Sequence, residues 1–237
     1  MMRPTLSIAA ALALLLLASS AAASSPNPCA QATVELGDAA AFVILGGHEV
    51  TTGSGVRSEV FGDLGVYPGS SVTGRPNMVN ESAIQIANGA SSAGIRDLTI
   101  AYNDATGRTL CPVAVAGNLG GMTLYPGLYK STSGIEITGS DLTLDAQGDS
   151  DAVFIFQMAE TFLSTTGRKV ILTGSANTKN IFWQVGTSAT LMGDTVLEGT
   201  MMADQSITSG SRAVVNGRVL ARIASVTMES AVFYLPQ

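Results

Sequence analysis

Ser188-Ala189-Thr190-Leu191, Ser206-Ile207-Thr208-Ser209 and Ser225-Val226-Thr227-Met228 are one four-residue pattern written three times, at steps of 18 and 19 residues. Their flanks repeat with them. Gly199-Thr200-Met201-Met202-Ala203-Asp204 aligns with Gly217-Arg218-Val219-Leu220-Ala221-Arg222, and further back Phe156-Gln157-Met158 aligns with Trp183-Gln184-Val185. A period near 18 residues that holds three short strands and their turns is the signature of a parallel β-solenoid, each coil burying the apolar side of the next. Small residues and glycines at the corners permit the tight bends.

Within a coil, alternation of period 2 separates inside from outside. Ala189, Ile207 and Val226 are expected to face in, with Leu191 and Met228 two places on. Ser188/Thr190, Ser206/Thr208 and Ser225/Thr227 are expected to face out. Stacked strands lie about 4.7–4.9 Å apart, so these hydroxyls form two columns on one face. The runs Val153-Phe154-Ile155-Phe156 and Ile181-Phe182-Trp183 are bulky on both sides and need a cover. A helix supplies one: Ile84, Ala87, Ser91, Ile95, Leu98 and Tyr102 recur at helical spacing. This stripe predicts a helix over about residues 80–106, capped by Asn80 and ended by Gly107. Gly89 and Gly94 weaken that helix in isolation, so it must lean on a larger body.

Composition narrows the function. The chain has 237 residues, 12 Lys+Arg against 18 Asp+Glu, and a net charge of −6. That acidity argues against a nucleic-acid backbone or an anionic membrane surface as the main partner. A single histidine, His48, and two cysteines exclude a Cys/His zinc cluster and leave a His-dependent triad without support. No metal and no cofactor is expected. Residues 1–23 read as a secretory signal peptide: Arg3 is the positive start, Leu6 to Ala18 the apolar core broken by Ser7, and Ala21-Ala22-Ala23 the cleavage site. The apolar core falls short of the ~20 residues of a membrane anchor, and no later run suits membrane insertion. Residues 24–237 are then one domain of a secreted, extracellular monomer. Export favours a Cys29–Cys111 disulfide. Asn80-Glu81-Ser82 is a glycosylation sequon if the source is a eukaryote, although Asn80 also suits a helix N-cap.

Several motifs in order resemble the secreted microbial ice-binding (antifreeze) protein family. They are Leu36-Gly37-Asp38-Ala39-Ala40-Ala41-Phe42, Gly62-Asp63-Leu64-Gly65-Val66-Tyr67-Pro68-Gly69, the stretches 101–109 and 119–130, Leu142-Thr143-Leu144-Asp145-Ala146-Gln147-Gly148-Asp149, Val153-Phe154-Ile155-Phe156-Gln157, Phe182-Trp183-Gln184-Val185-Gly186 and Val215-Asn216-Gly217-Arg218. The resemblance implies a mainly β fold: a discontinuous right-handed parallel β-solenoid of triangular section, with one long α-helix packed alongside. It also implies an ice crystal surface as the partner, held by one flat face rich in small and hydroxylated residues. By position, Ser188, Thr190, Met192, Ser206, Thr208, Gly210, Ser225 and Thr227 are the first candidates, Met192, Gly210 and Glu229 interrupting the hydroxyl rows. The neighbouring face, with Ile171, Thr173, Val196, Val214 and Asn216 outward, is the alternative; Lys169 and Glu198 put solvated charge on it.

The rival reading is an extracellular β-helix enzyme or glycan-binding module acting on polysaccharide. An enzyme needs clustered carboxylates, calcium or a basic catalyst in a groove. Asp145, Asp149 and Asp151 around Gly148 are the best cluster, and they lack a full calcium-loop pattern. His48, in the Gly46-Gly47-His48 turn, has no evident partner. A sugar-stacking surface needs exposed aromatics, and the one tryptophan, Trp183, is in the apolar strand expected under the helix.

Overall fold

The repeats stack in the register the sequence predicts. Ala189 pairs with Ile207 and Ile207 with Val226, and Gly199 to Ala203 with Gly217 to Ala221, all in parallel. This is a computed structural model, which describes residues 28–236 apart from Ser54 and Val56. The signal-peptide reading of residues 1–23 lies outside the described residues.

The chain enters with β1 (Phe42–Gly46), β2 (Glu49–Thr52) and β3 (Glu59–Phe61). It winds on through β4 (Asp63–Val66), β5 (Ser71–Thr73), β6 (Asn77–Met78) and β7 (Ile84–Ile86). Helix α1 (Gly89–Gly107) then carries it away, and it resumes with β8 (Val113–Ala114) and β9 (Thr123–Leu124). Two coils follow: β10 (Gly127–Ser131), β11 (Ile135–Ile137), β12 (Leu142–Asp145), then β13 (Phe154–Met158), β14 (Phe162–Ser164), β15 (Val170–Thr173). The rest is β16 (Ile181–Val185), β17 (Ala189–Leu191), β18 (Val196–Ala203), β19 (Ile207–Ser209), β20 (Val214–Ala221), β21 (Val226–Met228) and β22 (Val232–Tyr234).

These strands form three faces. The first runs β8-β10-β13-β16-β18-β20-β1-β4-β7 and the second β11-β14-β17-β19-β21-β2-β5. The third begins β9-β12-β15, crosses by the Lys169–Val196 bridge to β18, and continues β20-β22-β3-β6. β18 and β20 each serve two faces, bending at Gly199 (φ +99°) and Gly217 (φ +155°). A Cβ at Gly217 would collide with the Gly199 carbonyl of the coil below, so this corner admits only glycine. The solenoid is discontinuous: β1, from the start of the chain, docks on β20, near its end, through Ile44–Val219 and its neighbours.

Helix α1 starts later than predicted. Asn88, not Asn80, caps it: its Oδ1 accepts the Ser91 N–H at 3.0 Å while Ser91 Oγ accepts the Asn88 N–H at 3.1 Å. Asn80, Glu81 and Ala87 have φ of 56°, 58° and 45°, which no helix tolerates. Ile84 and Ile86 instead extend the first face as β7, beside Leu64 and Val66. Period-2 pairing onto an existing sheet overrides a helical spacing of only two members. From Ser91 onward the stripe holds, with Ser91, Leu98, Ala101, Tyr102 and Ala105 buried. Gly94 now has its reason, because a Cβ there would strike the Phe42 ring at 2.7 Å.

Beneath the helix lie Leu128, Val153, Ile155, Phe182, Met202 and Leu220. The Trp183 strand, β16, lies under the helix as expected, but Trp183 itself does not belong to that layer. In a strand buried on both sides, alternation sends Phe182 to the helix and Trp183 into the solenoid. There Tyr129, Phe156 and Trp183 stack at centroid distances of 5.3 and 4.0 Å, and the Trp183 indole N–H donates to the Glu198 carbonyl at 2.9 Å. The outward amides of the aligned Gln157 and Gln184 hold the helix end. Gln157 Nε2 donates to the Ala105 carbonyl at 2.6 Å, and Gln184 Nε2 to the Tyr102 hydroxyl at 2.8 Å. The Cys29–Cys111 disulfide ties the entering chain to the segment after the helix, as expected.

Trp183→Ala is expected to cost about 3–5 kcal/mol, read as a lowered melting temperature. An unchanged melt would contradict the aromatic stack as a core element.

Candidate functional site

The second face is a parallel sheet of seven short strands. Its middle outward row pairs Thr190 with Thr208, Thr208 with Thr227, Thr227 with Thr51, and Thr51 with Thr73. Four strand steps make this threonine column about 19 Å long. Inward of it, Ala189, Ile207, Val226 and Val50 are fully buried, and these apolar residues fix which side the threonines show. Thr208 and Thr73 are exposed; Thr190, Thr227 and Thr51 are half-buried.

The row before it is Ser188, Ser206 and Ser225, continued by Glu49 and Ser71. Ser188, Ser206 and Ser225 are half-buried and Ser71 is exposed, and two of the first three satisfy the next coil. Ser188 Oγ accepts the Ser206 N–H at 3.3 Å, and Ser206 Oγ accepts the Ser225 N–H at 3.5 Å. The row after it carries Met192, 42% exposed, then Gly210 and the exposed Glu229. At the other end Leu163 and Glu136 replace threonine in the middle row.

The predicted residues on this face therefore come together, and three more join them: Thr51, Ser71 and Thr73. Their local signal was present, since Glu49-Val50-Thr51-Thr52 and Ser71-Val72-Thr73 alternate apolar and hydroxylated residues as the later repeats do. Their place was not, because it depends on β2 docking on β21 across the junction of chain start and chain end.

The alternative face is less open. Ile171 and Thr173 are exposed, while Val196, Val214 and Asn216 are half-buried. The short 3-10 turn Thr178–Asn180 packs over β18 and β20. Glu198, expected to carry solvated charge there, is only 9% exposed, its Oε1 accepting from Asn216 Nδ2 at 2.7 Å. Burial pushes its carboxyl pKa up, and the Asn216 hydrogen bond only partly opposes this. The remaining face is covered by α1.

Of the rival candidates, Asp145 closes β12 and Asp149 and Asp151 lie in the turn after it. Asp145 Oδ1 accepts the Gln147 N–H at 2.9 Å and Asp149 Oδ1 the Asp151 N–H at 3.0 Å. His48 is exposed at a corner. Among the described residues no three or more His, Cys, Asp or Glu side chains are grouped to hold a metal, and no helix is long and apolar enough to cross a membrane.

A family model described as Ice-binding-like matches residues 44–233. The chain belongs to this ice-binding family. It is 38% identical to an ice-binding protein of Nostoc sp. (strain HG1), over 82% of this chain and 71% of that one. It is 35% identical to one from Flavobacterium frigoris (strain PS1), over 86% and 77%. A crystal structure of an ice-binding protein from an Antarctic biological consortium superposes with a TM-score of 0.85 at 42% identity, covering 88% of this chain and 93% of that one. One from the Antarctic ascomycete Antarctomyces psychrotrophicus gives 0.81 at 31% identity, over 86% and 99%. These relatives are ice-binding proteins, and none of them supports an enzyme.

A raised carboxyl pKa means the folded protein disfavours the Glu198 charge, so stability gained below its folded pKa is lost as pH rises through it. Glu198→Gln is therefore expected to raise the melting temperature at neutral pH, the gap from the parent closing as pH falls. An equal or lower melting temperature at neutral pH would show a well-solvated carboxylate.

Proposed function

We propose that this protein is a secreted monomer that adsorbs to ice through the second face, slowing crystal growth and recrystallisation. The threonine column from Thr190 to Thr73 is the observation that carries this reading. Outward residues repeat every ~6.6 Å along a strand and ~4.7–4.9 Å across strands, close to oxygen repeats in ice. Threonine offers both a hydroxyl and a methyl at each point, so the face can hold water in an ice-like layer that merges with the crystal.

Each contact is weak, since a hydrogen bond nets about 0.5–1.5 kcal/mol. A rigid sheet loses little conformational entropy on adsorption, so many weak contacts sum to lasting attachment. Ice caught between adsorbed molecules must advance with a curved front, which lowers the local freezing point. The signal-like residues 1–23 and the Cys29–Cys111 bridge support an oxidising, extracellular destination. Ser188, Ser206 and Ser225 shape the edge of the face, and Met192 and Gly210 limit it. Asn80, exposed in its turn, is the position a eukaryotic host would glycosylate.

Two variants test the face on either side of the chain junction. Thr208→Tyr and Thr51→Tyr are each expected to cut the fraction of protein taken into a slowly grown ice shell, with melting temperature little changed, because both side chains point outward. Full retention of ice uptake in both variants would place the site on another face.

A further inference from the structure

We propose a second binding site on the third face, a cleft that takes a single neutral sugar or polyol unit. The cleft holds about 470 Å³ and opens between the Thr178–Asn180 turn and the residues after β22. That volume lies within the range of small-molecule sites, about 300–1,000 Å³. Glu198, Asn216 and Tyr234 are successive outward residues on β18, β20 and β22, and all three line it, facing Asn177, Thr178 and the apolar Leu172.

The chemistry follows from Glu198. Glu198 as a whole residue is nine-tenths buried, with one carboxylate oxygen held by the Asn216 amide. No ion pair among the described residues reaches it. The second oxygen is not buried without a partner; it stays open to the cleft that Glu198 lines, with acceptor sites free for a ligand. Asn177 Oδ1 is engaged by the Lys179 N–H at 3.0 Å, which leaves its NH₂ as a donor. Acceptors and donors side by side suit a ligand whose hydroxyls each donate and accept.

Tyr234 adds an apolar wall. One side of its ring stacks on Phe61 at 4.6 Å, and the strand on its other side carries Asn216. Glu198, Asn216 and Tyr234 together span two strand steps, about 9–10 Å, a row across which one sugar ring can lie. A cation would find a single carboxyl whose charge burial already disfavours; a neutral polyol needs only its lone pairs. The site is separate from the threonine face, so its loss leaves ice adsorption untouched.

The test is an amide NMR titration with the methyl glycosides of glucose, galactose, mannose and N-acetylglucosamine, with sorbitol as a free polyol and choline as a cation. Saturating shifts are expected for at least one glycoside or sorbitol at the Asn216 and Asn177 side-chain amides and the Trp183 indole N–H, which donates to the Glu198 carbonyl. Glu198→Gln is expected to weaken that binding about tenfold while keeping the parent's folded spectrum and ice uptake. Saturation by the glycosides alone would point to a glycan end as the source, and by sorbitol as well to free polyols. No saturation by any glycoside or sorbitol, saturation by choline alone, or equal affinity in Glu198→Gln would overturn the proposal.

Discussion

The structure depends on one long-range pairing, β1 laid between β20 and β4. The earliest strands of the chain form one end of the stack, and the last ones must arrive at their open edge. That requires a return path along the stack, which α1 provides. Its 19 residues span about 28 Å, and its apolar stripe covers the strands it passes. Leu45 and Leu220, neighbours across the junction, both lie in the layer beneath the helix, so the helix seals the seam it makes necessary. Such non-local pairing is paid for in loop-closure entropy, which makes slow folding the expected behaviour.

The same arrangement decides which surface remains for function. One side of the triangle is under α1. Another is crowded by the Thr178–Asn180 turn and the C-terminal residues, and its Glu198 is sunk and hydrogen-bonded rather than solvated. The side left open has the most regular outward row, and the junction lengthens it by two threonines. Docking of β2 on β21 thus serves both the fold and the face we assign to ice.

Much of this was legible from the repeats. Inward Ala189, Ile207 and Val226 and outward Thr190, Thr208 and Thr227 follow from alternation alone, and the stacking register follows from the 18–19-residue step. The structure departs from the sequence pattern where two periodicities compete. Ile84 and Ala87 fit a helical stripe, but Ile84 and Ile86 fit a strand edge already present, and left-handed residues on both sides closed off the helix. For Trp183 the sequence shows the strand under the helix but not the side, because a strand bulky throughout does not announce which parity meets the helix. The place of Thr51 and Thr73 in the row is not legible in the sequence because their neighbours come from the other end of the chain, a fact of topology rather than of local pattern. The burial of Glu198 is not legible either, because nothing local reveals that Asn216 and a turn from the preceding coil enclose it.

The most direct measurement is nanolitre osmometry on the purified chain, its folding verified by circular dichroism. Faceted ice crystals with a gap between melting and freezing are expected. A folded sample that neither shapes crystals nor opens a gap would contradict ice adsorption by this protein.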